Sequence, residues 1–113
     1  MSATDPVLYH LADHVATITL DREERLNSFN QVMAGEVVKA WQIVRDTDEI
    51  HAVVLRAAGE RSFCTGIDVR EGVWWYHLNI WNQTDPGVWL GPKAHKCWKP
   101  VVAAVHGMCA GGG

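Results

Sequence analysis

A chain of 113 residues, 48% hydrophobic and 20% charged, suits one small domain or a piece of a larger one, with a modest core. Thirteen acidic against ten basic residues give a formal charge of -3, and the basic residues are scattered rather than gathered in a run. Nucleic acid and anionic membranes are therefore not expected as partners, whereas a small phosphorylated ligand held by one or two residues stays open.

Met1 to Pro6 carry neither a positively charged start nor an apolar run, and no stretch is apolar enough to span a bilayer. Val7 to Leu11 and Val15 to Leu20 read as two short strands of a hairpin around Ala12-Asp13-His14; in the second, Val15, Thr17 and Thr19 alternate with Ala16, Ile18 and Leu20. His10 and His14 flank that turn without a carboxylate or cysteine cluster, so no metal site is expected there. Asp21 to Arg25 follow as a charged loop. Ser28-Phe29-Asn30-Gln31 fits a capping box, with Ser28 as the cap of a helix whose stripe is Met33, Val37, Ala40, Trp41 and Val44. The helix fades near Asp46-Thr47-Asp48, and Gly35 inside it costs about 1 kcal/mol against alanine.

Ala52 to Ala57 form a short, almost continuous apolar run, the pattern of a strand covered on both faces. Ala58 to Arg61 turn the chain into Ser62-Phe63-Cys64-Thr65-Gly66-Ile67-Asp68. Between Val73 and Leu90 lie Trp74, Trp75, Trp81 and Trp89; Trp74, Leu78 and Trp81 share a helical face, and Asp85-Pro86-Gly87 marks a turn. Lys99-Pro100 leads into Val101 to Val105, a second apolar strand, predicted as buried, and the chain closes on a glycine cluster. The order of elements indicates an α/β architecture with right-handed crossovers. Cys64, Cys97 and Cys109 are odd in number and share no C-x-x-C spacing, which points to a reducing cytoplasm rather than a disulfide framework.

Two glycine turns, Phe63 to Asp68 and His106 to Gly113, each follow a strand. Glycine lets main-chain N–H groups approach a ligand, and two such turns on adjacent strands can aim their amides at one oxygen, the layout of an oxyanion hole; ordinary turns are the alternative. The terminal cluster lacks the Gly-Lys-Ser/Thr ending of a phosphate loop and the G-x-G-x-x-G spacing of a dinucleotide site. There is no G-x-S-x-G motif. His106 has no evident nucleophile partner and reads as structural, and the cysteines read as small packing residues.

Asp21 to Ser28, Arg61 to Val69 and Lys99 to Gly113 closely resemble three successive motifs of the crotonase, or enoyl-CoA hydratase/isomerase, superfamily, in matching order and spacing from about Val7 to the last residue. The resemblance implies a crotonase-like α/β fold, a ββα superhelix, with residues 1–113 as the N-terminal part of one such domain. It implies an acyl-CoA thioester as substrate, with hydration of a 2-enoyl-CoA or isomerisation of its double bond as the leading reaction and no cofactor beyond the coenzyme A of the substrate. By motif position, the backbone N–H groups of Ile67 and Gly112 form the oxyanion hole. Glu24, Arg25, Leu26 and Ser28 lie against the coenzyme, and Thr65 and Asp68 border the same groove. Arg25 stands as a phosphate contact or a solvated loop charge, and Asp68 as a ligand contact or a cap for the next helix. The Trp-rich stretch sits where the family shapes its acyl pocket, which suggests a bulky or aromatic acyl group, or else packs as core.

The family also implies a homo-oligomer, a trimer or dimer of trimers, and its members are more than twice as long. Their acid–base carboxylates come after the second glycine turn. The 113 residues by themselves are thus expected to show little or no catalysis, and to leave Val101 to Val105 with an uncovered face and an open edge. A non-catalytic acyl-CoA-binding or assembly fragment is the alternative reading. A third, in which the tryptophans form a surface for sugars or aromatics, requires exposed, coplanar indoles. Glu23 stands where the family usually has proline, which loosens that turn.

Overall fold

Asp13 and His14 both take positive φ, 52° and 66°, the pair of left-handed residues that a two-residue primed hairpin turn demands. They join β1 (Val7–Ala12) to β2 (Val15–Leu20) in an antiparallel pair with Ala12 opposite Val15. The structure is a computed structural model that describes residues 6–70 and 86–113. The helical face assigned from the sequence to Trp74, Leu78 and Trp81 lies outside those residues.

After β2 the chain passes through a 3-10 turn at Glu23–Arg25 and the helix α1 (Gln31–Asp46), then returns as β3 (Ala52–Ala57), parallel to β2. The strand β4 (Ser62–Cys64) leaves this sheet and pairs in parallel with β6 (Met108–Cys109), while β5 (Val101–Ala103) pairs in parallel with β3. The result is a four-stranded sheet in the order β1-β2-β3-β5 beside a two-stranded sheet β4-β6. Two short 3-10 helices, Pro86–Leu90 and Lys93–His95, lead into β5.

The helical stripe falls where its period places it. Met33, Val37, Ala40, Trp41 and Val44 are all buried, joined by Ala34, and they share one core with Val7, Ala16, Ile18, Val53 and Phe63. Trp41 is 0% exposed, and its indole N–H donates to the Leu90 carbonyl at 2.7 Å, so the bulkiest core residue keeps its one polar atom satisfied and fastens the Pro86–Leu90 turn to α1.

Three local expectations are corrected. The helix cap is Asn30, whose side chain accepts from the Met33 N–H at 2.9 Å; Ser28 instead donates its hydroxyl to the Arg25 carbonyl at 2.8 Å. Phe29 is still extended, bridged to Ile67, so the helix cannot begin before Asn30, and asparagine caps as well as serine. The last apolar strand is shorter than predicted and not buried. Val101 packs against the core, but Val102 is 63% and Val105 54% exposed, because among the described residues β5 is an edge strand with one face uncovered. Both-face coverage of β3 is likewise partial: Val53 and Ala57 are buried and Arg56 is exposed.

The cap assignment has a direct test in urea denaturation. Asn30→Ala is expected to cost about 1 kcal/mol of stability. Gln31→Ala, which removes the return half of the box read from the sequence, is expected to change it by less than about 0.5 kcal/mol, since Gln31 is exposed.

Candidate functional site

The segment Arg22 to Ser28, the charged loop of the sequence, is fixed from within. Leu26 and Asn27 take φ of 56° and 55°, a conformation asparagine tolerates better than most residues. Asn27 is 0% exposed and spends its amide on three partners: its Oδ1 accepts from the Arg22 N–H at 2.8 Å, and its Nδ2 donates to the carbonyls of Ala58 at 3.0 Å and Ser62 at 3.1 Å. The hydroxyls of Ser62 and Thr65 both donate to the Leu26 carbonyl, at 2.9 and 3.3 Å. The loop is thereby attached to the turn after β3 and to β4.

Asp68 lies behind this loop and is 4% exposed. Its Oδ2 is 2.9 Å from Arg22 Nη1 and 3.1 Å from Arg25 Nη2; its Oδ1 accepts from Arg25 at 3.3 Å and from the Arg70 N–H at 2.9 Å. Burial alone would push this carboxyl up. The Arg70 amide and the Arg22 and Arg25 guanidiniums outweigh it and hold the carboxyl below its ordinary range. The charge of Asp68 is thus committed to the protein, and its bond to the amide two residues on is an Asx turn. Arg25 remains partly exposed beside it. Arg22, read from the sequence as one scattered cation, is buried and also donates to the Ser28 carbonyl at 2.8 Å.

Glu24, Arg25, Leu26, Ser28, Thr65, Ile67 and Asp68 come together as the walls of one open groove of about 410 Å³, completed by Val69 and Arg70. Every residue expected to border the coenzyme is in it. Arg70, an exposed cation on its rim, was not singled out from the sequence; its position two residues past Asp68 was the available signal.

Ile67 and Gly112 stand on turns that touch. The Phe29 N–H donates to the Gly66 carbonyl at 2.9 Å and the Asp68 N–H to the Phe29 carbonyl at 2.8 Å, which turns the intervening Ile67 amide away from Phe29, since successive amides of an extended chain point opposite ways. The second turn runs from Ala110 to Gly113, closed by the Gly113 N–H on the Ala110 carbonyl at 2.9 Å, with Gly111 at a φ of 58°. No backbone acceptor among the described residues takes the N–H of Ile67 or Gly112. Gly66 has a φ of 98°, and a Cβ built on it would lie 3.2 Å from the Ala110 oxygen and 3.7 Å from the Gly112 nitrogen. A side chain there would crowd the Ala110 carbonyl and be strained by the positive φ. The two residues border different spaces: Ile67 lines the polar groove, and Gly112 lines a second, apolar cavity of about 340 Å³ that Phe29, Met33, Trp41, Phe63 and Leu90 also border.

The remaining candidates supply no further chemistry. Burial pushes the Cys64 thiol up, offset in part by a bond with the Gly66 backbone, and the side chain is packed in the core at 2% exposed. His106 Nε2 is buried without a hydrogen-bond partner among the described residues. His14 stacks on His51 with ring centroids 4.2 Å apart, and among the described residues no three metal-ligating side chains converge. Of the tryptophans described, Trp41 is buried, Trp89 half-buried and Trp98 71% exposed; Trp74, Trp75 and Trp81, which the reading of a tryptophan surface also needs, lie outside the described residues. No helix among the described residues is long and apolar enough to cross a membrane.

Comparison with known proteins identifies the family and the fold. The model of the enoyl-CoA hydratase/isomerase family matches residues 11–113. The chain is 35% identical over 108 residues to the (E)-benzylidenesuccinyl-CoA hydratase of Thauera aromatica, covering 96% of this chain and 42% of that protein. It is 34% identical over 118 residues to the 1,2-epoxyphenylacetyl-CoA isomerase of Escherichia coli, covering 95% and 42%. Among solved structures, an enoyl-CoA hydratase/isomerase from Mycobacterium paratuberculosis superposes with a TM-score of 0.74 at 31% identity, over 93% of this chain and 39% of that one. An enoyl-CoA hydratase from Bacillus anthracis does so with a TM-score of 0.77 at 26% identity, over 96% and 42%. These neighbours share the crotonase fold, and the chain spans about two-fifths of the length of the relatives it matches.

The Asp68 cluster sets a pH dependence whose sign is fixed by the direction of its shift. Folding lowers this carboxyl from 3.8, so the unfolded chain binds its proton more readily than the native one. The stabilisation is present in full above the unfolded value and is lost as pH falls through the folded one. The urea midpoint is therefore expected to fall between about pH 6 and pH 3. Asp68→Asn is expected to remove about 3 kcal/mol at pH 6, by taking away the carboxylate that Arg22 and Arg25 share, and to flatten that slope.

Proposed function

The chain belongs to the enoyl-CoA hydratase/isomerase family, and from that premise we propose that it supplies the coenzyme groove and both oxyanion amides of an enzyme that acts on an acyl-CoA thioester. The observation that carries the reading is the backbone contact of Gly66 with Gly111 and Gly112, which holds the Ile67 turn and the Gly112 turn at one seam between a polar groove and an apolar cavity. A thioester has the same division: a phosphorylated, polar coenzyme on one side of its carbonyl and an acyl group on the other.

In this reading the coenzyme lies along Glu24, Arg25, Leu26, Ser28, Thr65 and Asp68, with Arg25 and Arg70 as the cations nearest its phosphates. The thioester oxygen sits at the seam, facing the N–H groups of Ile67 and Gly112. In hydration, water adds its hydroxyl to C3, the double-bond electron pair moves through C2 onto the thioester oxygen, and the two amides hold the resulting enolate. The pair returns when C2 takes a proton, so the product is substrate plus water. In isomerisation a proton leaves one carbon and another is returned further along, with the same enolate between. The proton-transferring groups are assigned to the part of the relatives' length that this chain does not span. A homo-oligomer, a cytoplasmic location and the lack of any cofactor beyond the substrate's coenzyme belong to the same proposal and rest on the family.

One observation favours a narrower role for these 113 residues by themselves. Asp68 is engaged by two arginines, which leaves its carboxylate committed to the protein rather than to proton transfer, and this supports a reading in which these residues hold the thioester. Titration calorimetry with crotonyl-CoA and with free CoA tests the proposal. Saturable binding of both is expected, with the thioester preferred. Gly66→Ala, strained at a φ of 98° and pressed against the Ala110 oxygen, is expected to abolish the preference while CoA itself still binds. A folded chain that binds neither ligand refutes the reading.

A further inference from the structure

We propose that Cys64 and Cys109 form a reversible dithiol–disulfide pair, responsive to a disulfide oxidant, that ties the bases of the two glycine turns together. The bond needs no coenzyme, so it stands or falls separately from the thioester reading.

The ladder between β4 and β6 brings the two cysteines together. The strands run parallel, and after a register shift past Ser62 the residue opposite Cys64 is Cys109. The Ala110 N–H donates to the Cys64 carbonyl at 3.0 Å, which holds that register at the cysteines themselves. Partners on paired strands lie about 4.8 Å apart, inside the range of about 4.4–6.8 Å between α-carbons that a disulfide spans. Side chains in register also leave the sheet on one face. Each thiol lies within electrostatic reach of the other: burial, the largest cause, pushes the Cys64 thiol up, and the charge of Cys109 adds to that push.

Packing accounts for two of the three cysteines. Cys64 and Cys97 are each 2% exposed, whereas Cys109 is exposed and fills no gap in the core. An accessible thiol beside a sheltered one is the division of labour of a redox pair, in which the outer attacks and the inner resolves. The Cys109 thiolate displaces one glutathione from oxidised glutathione and is left as a mixed disulfide. The Cys64 thiol then gives up its proton and displaces the second glutathione, so the chain loses two protons and two electrons and the oxidant becomes two thiols. Cys97 borders a separate hollow with Arg45 and Lys99 and takes no part.

Position gives the bond its consequence. Cys64 stands three residues before Ile67, and Cys109 three residues before Gly112. A crosslink between them joins the starts of both turns and restrains the turn from Ala110 to Gly113.

The test treats the folded chain with oxidised glutathione and reads its intact mass, its cysteine peptides and its amide exchange. A mass lower by two hydrogens, a peptide linking Cys64 to Cys109, and reversal by dithiothreitol are expected. Cys64→Ser, or Cys64→Ala if that variant does not fold, is expected to stop at a glutathione adduct on Cys109, and Cys97→Ser to behave as the unmodified chain does. The Ala110 and Gly113 amides are expected to exchange about tenfold more slowly in the oxidised chain and to recover on reduction. A glutathione adduct that persists on Cys109 of the unmodified chain, a bond to Cys97 or to a second chain, or no reaction at all overturns the pair. A Cys64–Cys109 bond that leaves those two amides exchanging as fast or faster overturns its role in tying the turns.

Discussion

A carboxylate that is 4% exposed stays ionised only where the protein itself replaces the water it has lost, and the arrangement around Asp68 is organised by that requirement. Two guanidiniums and one amide supply the replacement, and each comes from a different place in the chain: Arg22 from the end of β2, Arg25 from the 3-10 turn, the Arg70 amide from beyond the second loop. To satisfy Asp68 the chain must therefore bring residues 22–25 against residues 68–70, and that approach forms the groove. Glu24, Leu26, Ser28 and Thr65 become its walls because that approach brings their segments together, and the bonds of Ser28 to the Arg25 carbonyl and of Thr65 to the Leu26 carbonyl hold them there.

Asn27 does the same for neutral groups. With both amide atoms used and a left-handed backbone, it joins the loop to Ala58 and Ser62, so the groove cannot open without leaving three buried partners unpaired. Ion pairs between buried groups contribute little net stability, but breaking one is costly, which makes such a network a device for fixing geometry. A rigid, largely prepaid site is what electrostatic stabilisation of an oxyanion requires, since donors that must first be oriented lose their advantage.

Periodicity carried most of the fold. The alternation in Val15 to Leu20 and the stripe from Met33 to Val44 are local patterns, and both elements fall where the patterns place them. The places where the reading slipped are those decided by distant contacts. Ser28 and Asn30 are equally good caps by type; only the bridge of Phe29 to Ile67, 38 positions away in sequence, decides between them. The apolar run from Val101 to Val105 predicts burial, but burial depends on what covers the strand, and composition does not state that. For the site, the motifs located the groove residues and both glycine turns. The same motifs were silent on the use of Arg22, Asn27 and Arg70, because a charged or amide residue in a loop looks alike whether it is solvated or anchors a network.

The two oxyanion candidates are not equally secured. Ile67 is held on both sides by Phe29 in an extended bridge, and its turn adjoins the Asp68 cluster. Gly112 belongs to a turn attached through the Ala110 N–H to the Cys64 carbonyl and through the short pair of β4 with β6. Met108, on that pair, is 55% exposed, and the neighbouring β5 presents Val102 to solvent. Among the described residues the Gly112 side of the seam thus has less buried apolar contact than the Ile67 side. In these residues the coenzyme groove and one donor are preorganised. The placing of the second donor rests on that attachment and on Gly66 and Gly111, whose positive φ values of 98° and 58° glycine adopts most readily.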